Sequence, residues 1–257
     1  MTVDLNYREQ GNGPALLILH GLFGSAANWG RIARELAADH RVIVADLRNH
    51  GASPHAPDTG YPAMAADVAE LVERLSPDAP VTLLGHSMGG KTAMRFALEH
   101  PARVARLLVV DIAPRAYRGN QDDVVAALQR LDLDALPSRA AADARLAQWI
   151  PEPSLRAFLL TNLVQAEGRL RWRINLPVLA DGLAEIEAFP TPGGAVYDGP
   201  VRFIAGRDSD YLQPDDPERI RALFPRATLA WIDAAGHWVH AAQPEAFLAE
   251  VRAFLAG

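Results

Sequence analysis

The five residues Gly85-His86-Ser87-Met88-Gly89 narrow what this chain can fold into more than any other stretch. They read G-x-S-x-G, preceded by the apolar, β-branched run Val81-Thr82-Leu83-Leu84 and followed by a helix-like stretch over residues 88–100. A strand that passes straight into a helix through so short a turn pushes its central residue out of the sheet, with the side chain exposed. Glycine suits the flanking positions because the turn is tight and the helix must pack close to the strand. A serine hydroxyl is a weak nucleophile alone and needs a base and an orienting acid. A chain carrying such a turn must therefore build a sheet around it and bring those two partners to the same end of that sheet.

The sheet is legible as an alternation. Strand-like runs fall at residues 2–8, 15–19, 41–46, 81–84, 106–111, 201–205 and 228–233. The stretch Gly11-Asn12-Gly13-Pro14 is turn chemistry and predicts an antiparallel hairpin between the first two runs. The later strands are short, continuous apolar runs, the pattern of strands buried on both faces. Amphipathic helices are predicted between them at residues 29–38, 63–75, 91–100, 217–224 and 244–255. The fold class is α/β, with a mostly parallel, doubly covered sheet. The alternation breaks once, between the strand ending at Asp111 and the strand starting at Val201. That interval shows helical patterns at residues 121–131, 139–149, 154–167 and 177–189 and no convincing strand. Residues 1–113 and 200–257 are thus expected to form the core. Residues 114–199 are expected to form a helical cap, inserted on the carboxyl edge where open α/β sheets bind ligands.

Composition excludes several function classes. Net charge is −6, from 25 basic and 31 acidic residues, so the basic footprint of a nucleic-acid binder is missing. Cysteine is absent, which removes disulfides, thiolate metal sites and cysteine nucleophiles. No apolar run approaches the roughly 18 residues of a membrane span, and residues 1–11 lack an apolar signal core. A soluble cytoplasmic protein with no membrane partner is the expectation. Lys91, four residues after Ser87, is the sole lysine among those 25 basic residues, an arginine bias that fits a GC-rich bacterial genome. One reading is a surface lysine kept by chance; the sharper one is a compact ammonium in a slot too small for a guanidinium.

Ser87 is the candidate nucleophile and His237, in Ala235-Gly236-His237-Trp238 between the last strand and the last helix, the candidate base. His240 forms H-x-x-H with His237, but a loop position without a nearby acidic ligand argues against metal, and neither metal nor cofactor is expected. Three carboxylates compete for the acid. Asp111 ends a wholly apolar strand, where an unpaired charge is costly; Asp208 and Asp210 follow the penultimate strand in a polar loop, and residue chemistry alone does not separate them. The oxyanion hole needs two donors. The Met88 amide stands at the positive start of its helix. The other donor is expected from His20-Gly21-Leu22-Phe23-Gly24, with Leu22 first and Phe23 next. Phe23, Trp149, Phe158, Leu159, Trp172 and Trp238 are candidates for the substrate pocket, and Arg171 and Arg173 flank Trp172.

Together these residues resemble the α/β-hydrolase superfamily over residues 7–254. Finer motifs are similar to its YbfF-like esterase branch and the related mitochondrial abhydrolase-domain esterases. They are H-G-L-F-G-S (20–25), D-L-R-N-H-G-A-S (46–53), Y-P-A-M-A-A-D (61–67), G-H-S-M-G-G-K (85–91), D-I-A-P (111–114), R-W-R-I-N-L (171–176) and A-G-H-W-V-H (235–240). The resemblance implies an α/β-hydrolase fold. It implies a triad acid at Asp111, although this chain also carries Asp208 and Asp210 where the branch often has none, and it includes the lysine at Lys91. It further implies a serine carboxylesterase for small to medium acyl esters, working through an acyl-enzyme. An acyl-CoA thioesterase, lactonase, carbon–carbon hydrolase or perhydrolase shares the same triad. A ligand-binding or signalling protein on this scaffold is the alternative of a different class, and a damaged triad or lost oxyanion loop would mark it. The expected partner is a small-molecule ester or thioester; the sequence does not define an oligomeric state.

Overall fold

In the computed structural model, which describes residues 1–119 and 121–257, seven strands build the main sheet. They are β1 (Tyr7–Gln10), β2 (Ala15–Leu19), β3 (Arg41–Ala45), β4 (Val81–His86), β5 (Val104–Val110), β8 (Val201–Gly206) and β9 (Ala227–Ile232). Their order across the sheet is β1-β3-β2-β4-β5-β8-β9, with every pairing parallel except that of β1 with β3. Successive residues of a central strand are buried toward opposite faces. Leu16 and Ile18 join an apolar cluster with Ile32, Phe247 and Val251, carried by α1 (Gly30–Leu36) and the last helix (Pro244–Ala256). Leu17 and Leu19 join the cluster on the other face with Val68, Met94 and Phe96, carried by α2 (Tyr61–Leu75) and α3 (Met88–Glu99).

The first two strands do not form the expected hairpin. β1 pairs antiparallel with β3, Tyr7 opposite Ala45, and β2 lies between β3 and β4. Burial explains the exchange. β2 reads Ala-Leu-Leu-Ile-Leu and must be covered on both faces, which an interior position provides. β1 reads Tyr-Arg-Glu-Gln, is mostly exposed, and is suited to an edge.

The interval between β5 and β8 carries, among the described residues, five short α-helices, α4 (Asp122–Gln129), α5 (Arg139–Leu146), α6 (Pro153–Leu159), α7 (Leu176–Asp181) and α8 (Leu183–Glu187). The absence of a strand there is corrected. β6 (Leu163–Ala166) and β7 (Arg169–Trp172) form an antiparallel hairpin, so the helical pattern at residues 154–167 stops at Leu159. Its two turn residues, Glu167 and Gly168, have φ of 52° and 78°. That is the primed-turn geometry of two-residue hairpins, here entered through Glu-Gly instead of the more readable Asn-Gly. The segment does not fold around a core of its own. Leu128, Leu146, Leu159, Leu179 and Ile186 belong to the same apolar cluster as Val68 and Phe96. Among the described residues, no helix is long and apolar enough to cross a membrane.

Candidate active site

Ser87 sits between β4 and α3 with φ 53° and ψ −119°, a strained conformation for a residue with a side chain. The packing that holds it is severe. A Cβ on Gly85 would lie 2.2 Å from the Gly89 carbonyl oxygen, and one on Gly89 would lie 2.4 Å from that of Leu19. The Ser87 N–H is used by the Val110 carbonyl at 3.0 Å. The next amide, Met88, opens α3, where first-turn N–H groups have no partner within the helix. The loop after β2 lies directly against this turn, since a Cβ on Gly21 would be 3.2 Å from the Ser87 Cβ. Within that loop the Phe23 N–H already donates to His50 Nε2 at 3.2 Å.

The structure brings His237 and Asp111 together. His237 Nδ1 donates to Asp111 Oδ2 at 2.8 Å, which leaves Nε2 as the accepting nitrogen of the ring. Asp111 is fully buried, at φ 50°, and its charge is met by three donors: His237, the Gly206 N–H at 3.0 Å, and the Ser209 hydroxyl. Hydrogen bonds of this kind offset the cost of burying a carboxylate. Asp208 and Asp210 are exposed, and their backbone groups bond elsewhere, Asp208 N–H to Ala235 and the Asp210 carbonyl to Gln213. The loop instead sends Ser209, the residue between them, to Asp111. Tyr211 then stacks on the His237 ring, centroids 3.8 Å apart, and His86 Nε2 donates to the His237 carbonyl at 2.9 Å. Ser209, Tyr211 and His86 were not assigned these roles from sequence.

Ser87 and His237 open on one cavity of about 300 Å³, whose walls include Leu22, Phe23, Met88, Phe158 and Trp238. Three pocket candidates lie elsewhere. Leu159 is buried in the apolar cluster, because the side of α6 that meets the cavity carries Leu155 and Phe158, three residues apart. Trp149 instead lies near the guanidinium groups of Arg130 and Arg145, 5.8 and 5.5 Å from its ring centre. Trp172, paired with Leu163 at the base of the hairpin, faces a shallow outer groove, and Arg171 and Arg173 are exposed. Leu155, Tyr117 and Tyr211 take the places in the wall that sequence reasoning gave to those residues.

Lys91 is buried one turn below Ser87. Its ammonium donates to the carbonyls of Glu187 and Ala188, both at 2.8 Å, and lies 4.7 Å from the Tyr117 ring centre. It thereby caps the C-terminal end of α8, joining the inserted segment to the elbow helix. Burial pushes the Lys91 pKa down to about 7, against the opposing pull of Glu187.

The motif Arg48-Asn49-His50 ties three parts of the molecule to one loop. Arg48 pairs with Asp67 of α2 at 2.6 Å, Asn49 bonds Asn175 at 3.0 Å, and His50 holds Phe23. Burial holds His50 and His240 neutral, each down to about 3, and lowers His20 and His86 as well. His240 stacks on Trp29 at 4.1 Å, and among the described residues no group of three or more His, Asp or Glu could hold a metal. These depressed values have a signed consequence. The unfolded chain takes up protons below a histidine's ordinary value near 6.5, while the folded chain does not until about 3, so stability is lost as pH falls through that window. At pH 5, His50 and His240 each account for about 2 kcal/mol of loss. Urea unfolding at pH 7.5 and pH 5.0 should show this, and His240→Phe should lose about 2 kcal/mol less than the wild type. Equal losses in the two proteins would contradict the assignment.

A strained serine at a strand-to-helix elbow after β4 and a His–Asp pair from the loops after β9 and β5, all at the carboxyl edge of a mostly parallel sheet, define an α/β hydrolase. Residues 14–244 match the family model for the alpha/beta hydrolase fold, and the chain belongs to that family. The sn-1-specific diacylglycerol lipase ABHD11 of Mus musculus is 43% identical to it over 251 residues, 95% of this chain and 81% of the mouse protein. Esterase YbfF of Escherichia coli (strain K12) is 37% identical over 96% of this chain and 95% of its own length. A solved marine microorganism esterase superimposes with a TM-score of 0.96 at 38% identity, covering 98% of this chain and 100% of the other. The chain is an esterase/lipase-like α/β hydrolase.

Proposed function

We propose that this protein is a serine carboxylesterase for small to medium acyl esters, with Ser87, His237 and Asp111 as its catalytic triad. The bond from Nδ1 of His237, whose ring lines the cavity that also receives Ser87, to Asp111 Oδ2 carries the reading. In this mechanism His237 Nε2 takes the Ser87 proton as Oγ attacks the ester carbonyl. Asp111 fixes the ring's tautomer and stabilises the imidazolium. The Leu22 and Met88 amides receive the oxyanion. His237 then returns the proton to the departing alcohol, and a water activated by the same nitrogen releases the acid from the acyl-enzyme.

We read residues 114–199 as a cap that selects the acyl group. Leu155 and Phe158 support this, since both reach the cavity from α6. Each methylene that fits contributes about 0.8 kcal/mol, and one that does not fit clashes. Replacing Leu155 and Phe158 by alanine should therefore move the preferred chain length upward, with acetate turnover kept within about tenfold. An unchanged profile would remove this segment from the acyl pocket.

The reading is tested by a series of p-nitrophenyl esters from acetate to decanoate, run beside the matching acyl-CoA thioesters and a diacylglycerol. The last substrate enters because the mouse relative carries the name of a diacylglycerol lipase. Turnover that is highest on the short and medium esters and abolished by a serine-directed phosphonate supports the proposal. Preference for the thioesters or for diacylglycerol would reassign the substrate class.

A further inference from the structure

We propose that Asn162, on the inserted segment, is a positioning residue for the oxyanion hole. The proposal rests on the reading that the Leu22 and Met88 amides hold the oxyanion. The Gly24 N–H donates to the Gly21 carbonyl at 2.9 Å, closing a four-residue turn with Leu22 and Phe23 at its centre. Phe23 has φ 62°. Glycine is the usual occupant of a turn's third position at positive φ, and a buried phenylalanine there is strained. Such a conformation persists only where the surroundings over-determine it. Relaxation to negative φ would turn the Leu22–Phe23 peptide over and shift the Leu22 backbone against Ser87.

Two buried side chains hold Phe23 in place, one on each backbone group. His50 accepts from its N–H at 3.2 Å, and Asn162 Nδ2 donates to its carbonyl at 2.7 Å. Asn162 is 2% exposed. It ends the turn Leu160–Asn162, its Nδ2 also donates to the Leu159 carbonyl at 3.2 Å, and its own carbonyl accepts from Arg173 N–H at 2.8 Å across the base of the β6–β7 hairpin. The amide is thus fixed before it reaches Phe23. His50 belongs to the core and Asn162 to the insertion, so the insertion does more than cover the cavity: it supplies one of the two clamps on the loop that bears the Leu22 amide.

Asn162→Asp keeps the shape and removes the donor. Its kcat on p-nitrophenyl butyrate should fall roughly 10- to 100-fold with KM within about threefold, the size expected for an ångström-scale misplacement. Affinity for an aryl trifluoromethyl ketone, which becomes an oxyanion on Ser87, should fall in proportion to kcat/KM, while affinity for the matching secondary alcohol stays constant. Asn162→Ser and Asn162→Ala carry the same readouts, with circular dichroism verifying the fold, so that loss of one variant to misfolding leaves the others to decide. Ketone affinity that does not follow kcat/KM across the folded variants overturns the proposal, as does a loss expressed wholly in KM or in acyl chain-length preference. If wild-type enzyme binds the ketone no more tightly than the alcohol, the oxyanion reading itself fails; tight wild-type binding that Asn162→Asp leaves unchanged removes the role of Asn162 alone.

Discussion

Ser87→Ala and His237→Ala are each expected to lower kcat by about 10⁶-fold, and the double variant to be no more than a few-fold worse than either. The reason is that the two side chains serve one proton transfer. Without Ser87 there is no nucleophile for His237 to activate, and without His237 the hydroxyl is a weak nucleophile. Turnover of p-nitrophenyl butyrate by the three purified variants, corrected for spontaneous hydrolysis, checks this. Losses that multiply would mean that the two residues act on separate steps.

Asp111→Asn should cost on the order of 10⁴-fold in kcat, against less than about twofold for Asp208→Asn or Asp210→Asn. An asparagine amide facing His237 Nδ1 would drive the ring proton to Nε2, where Ser87 needs an acceptor. Asparagine tolerates the positive φ at this position, and its oxygen can still accept from Gly206, so the fold should survive. Asp208 and Asp210 face solvent, and loss of their charge leaves the Asp111–His237 bond in place. A mild Asp111→Asn paired with a crippling Asp208→Asn or Asp210→Asn would reassign the acid.

The elbow at Ser87 was legible because its constraints are local: a strand, a tight turn and a helix contiguous in sequence. The sheet was legible for a related reason, since buried parallel strands are continuous apolar runs. The place of β1 was not, because Gly11-Asn12-Gly13-Pro14 marks a turn without saying which strand lies beyond it. The hairpin of β6 and β7 escaped because only β7, Arg169-Leu170-Arg171-Trp172, alternates, and four residues are too few to outweigh the helical pattern before them. The acid stayed open on residue chemistry, since three aspartates end at the same sheet edge. Only packing distinguishes the fully buried Asp111, with three donors, from two exposed neighbours. Two of the pocket aromatics were misplaced for the same reason. Trp149 and Trp172 have the right chemistry, but where each ring points depends on packing against Arg130 and Arg145 and on the register of the hairpin, which side-chain type does not report. His50 and Asn162 carry no motif that reports on a backbone group of Phe23.

Intact-mass and peptide analysis after brief exposure to a fluorophosphonate tests the central claim most directly. One equivalent should be incorporated on the peptide containing Ser87, with activity lost in step, and His237→Ala should be labelled at least about 10²-fold more slowly, since general-base assistance is typically worth that much or more. Labelling of a different residue, or full activity in protein modified at Ser87, would contradict the account.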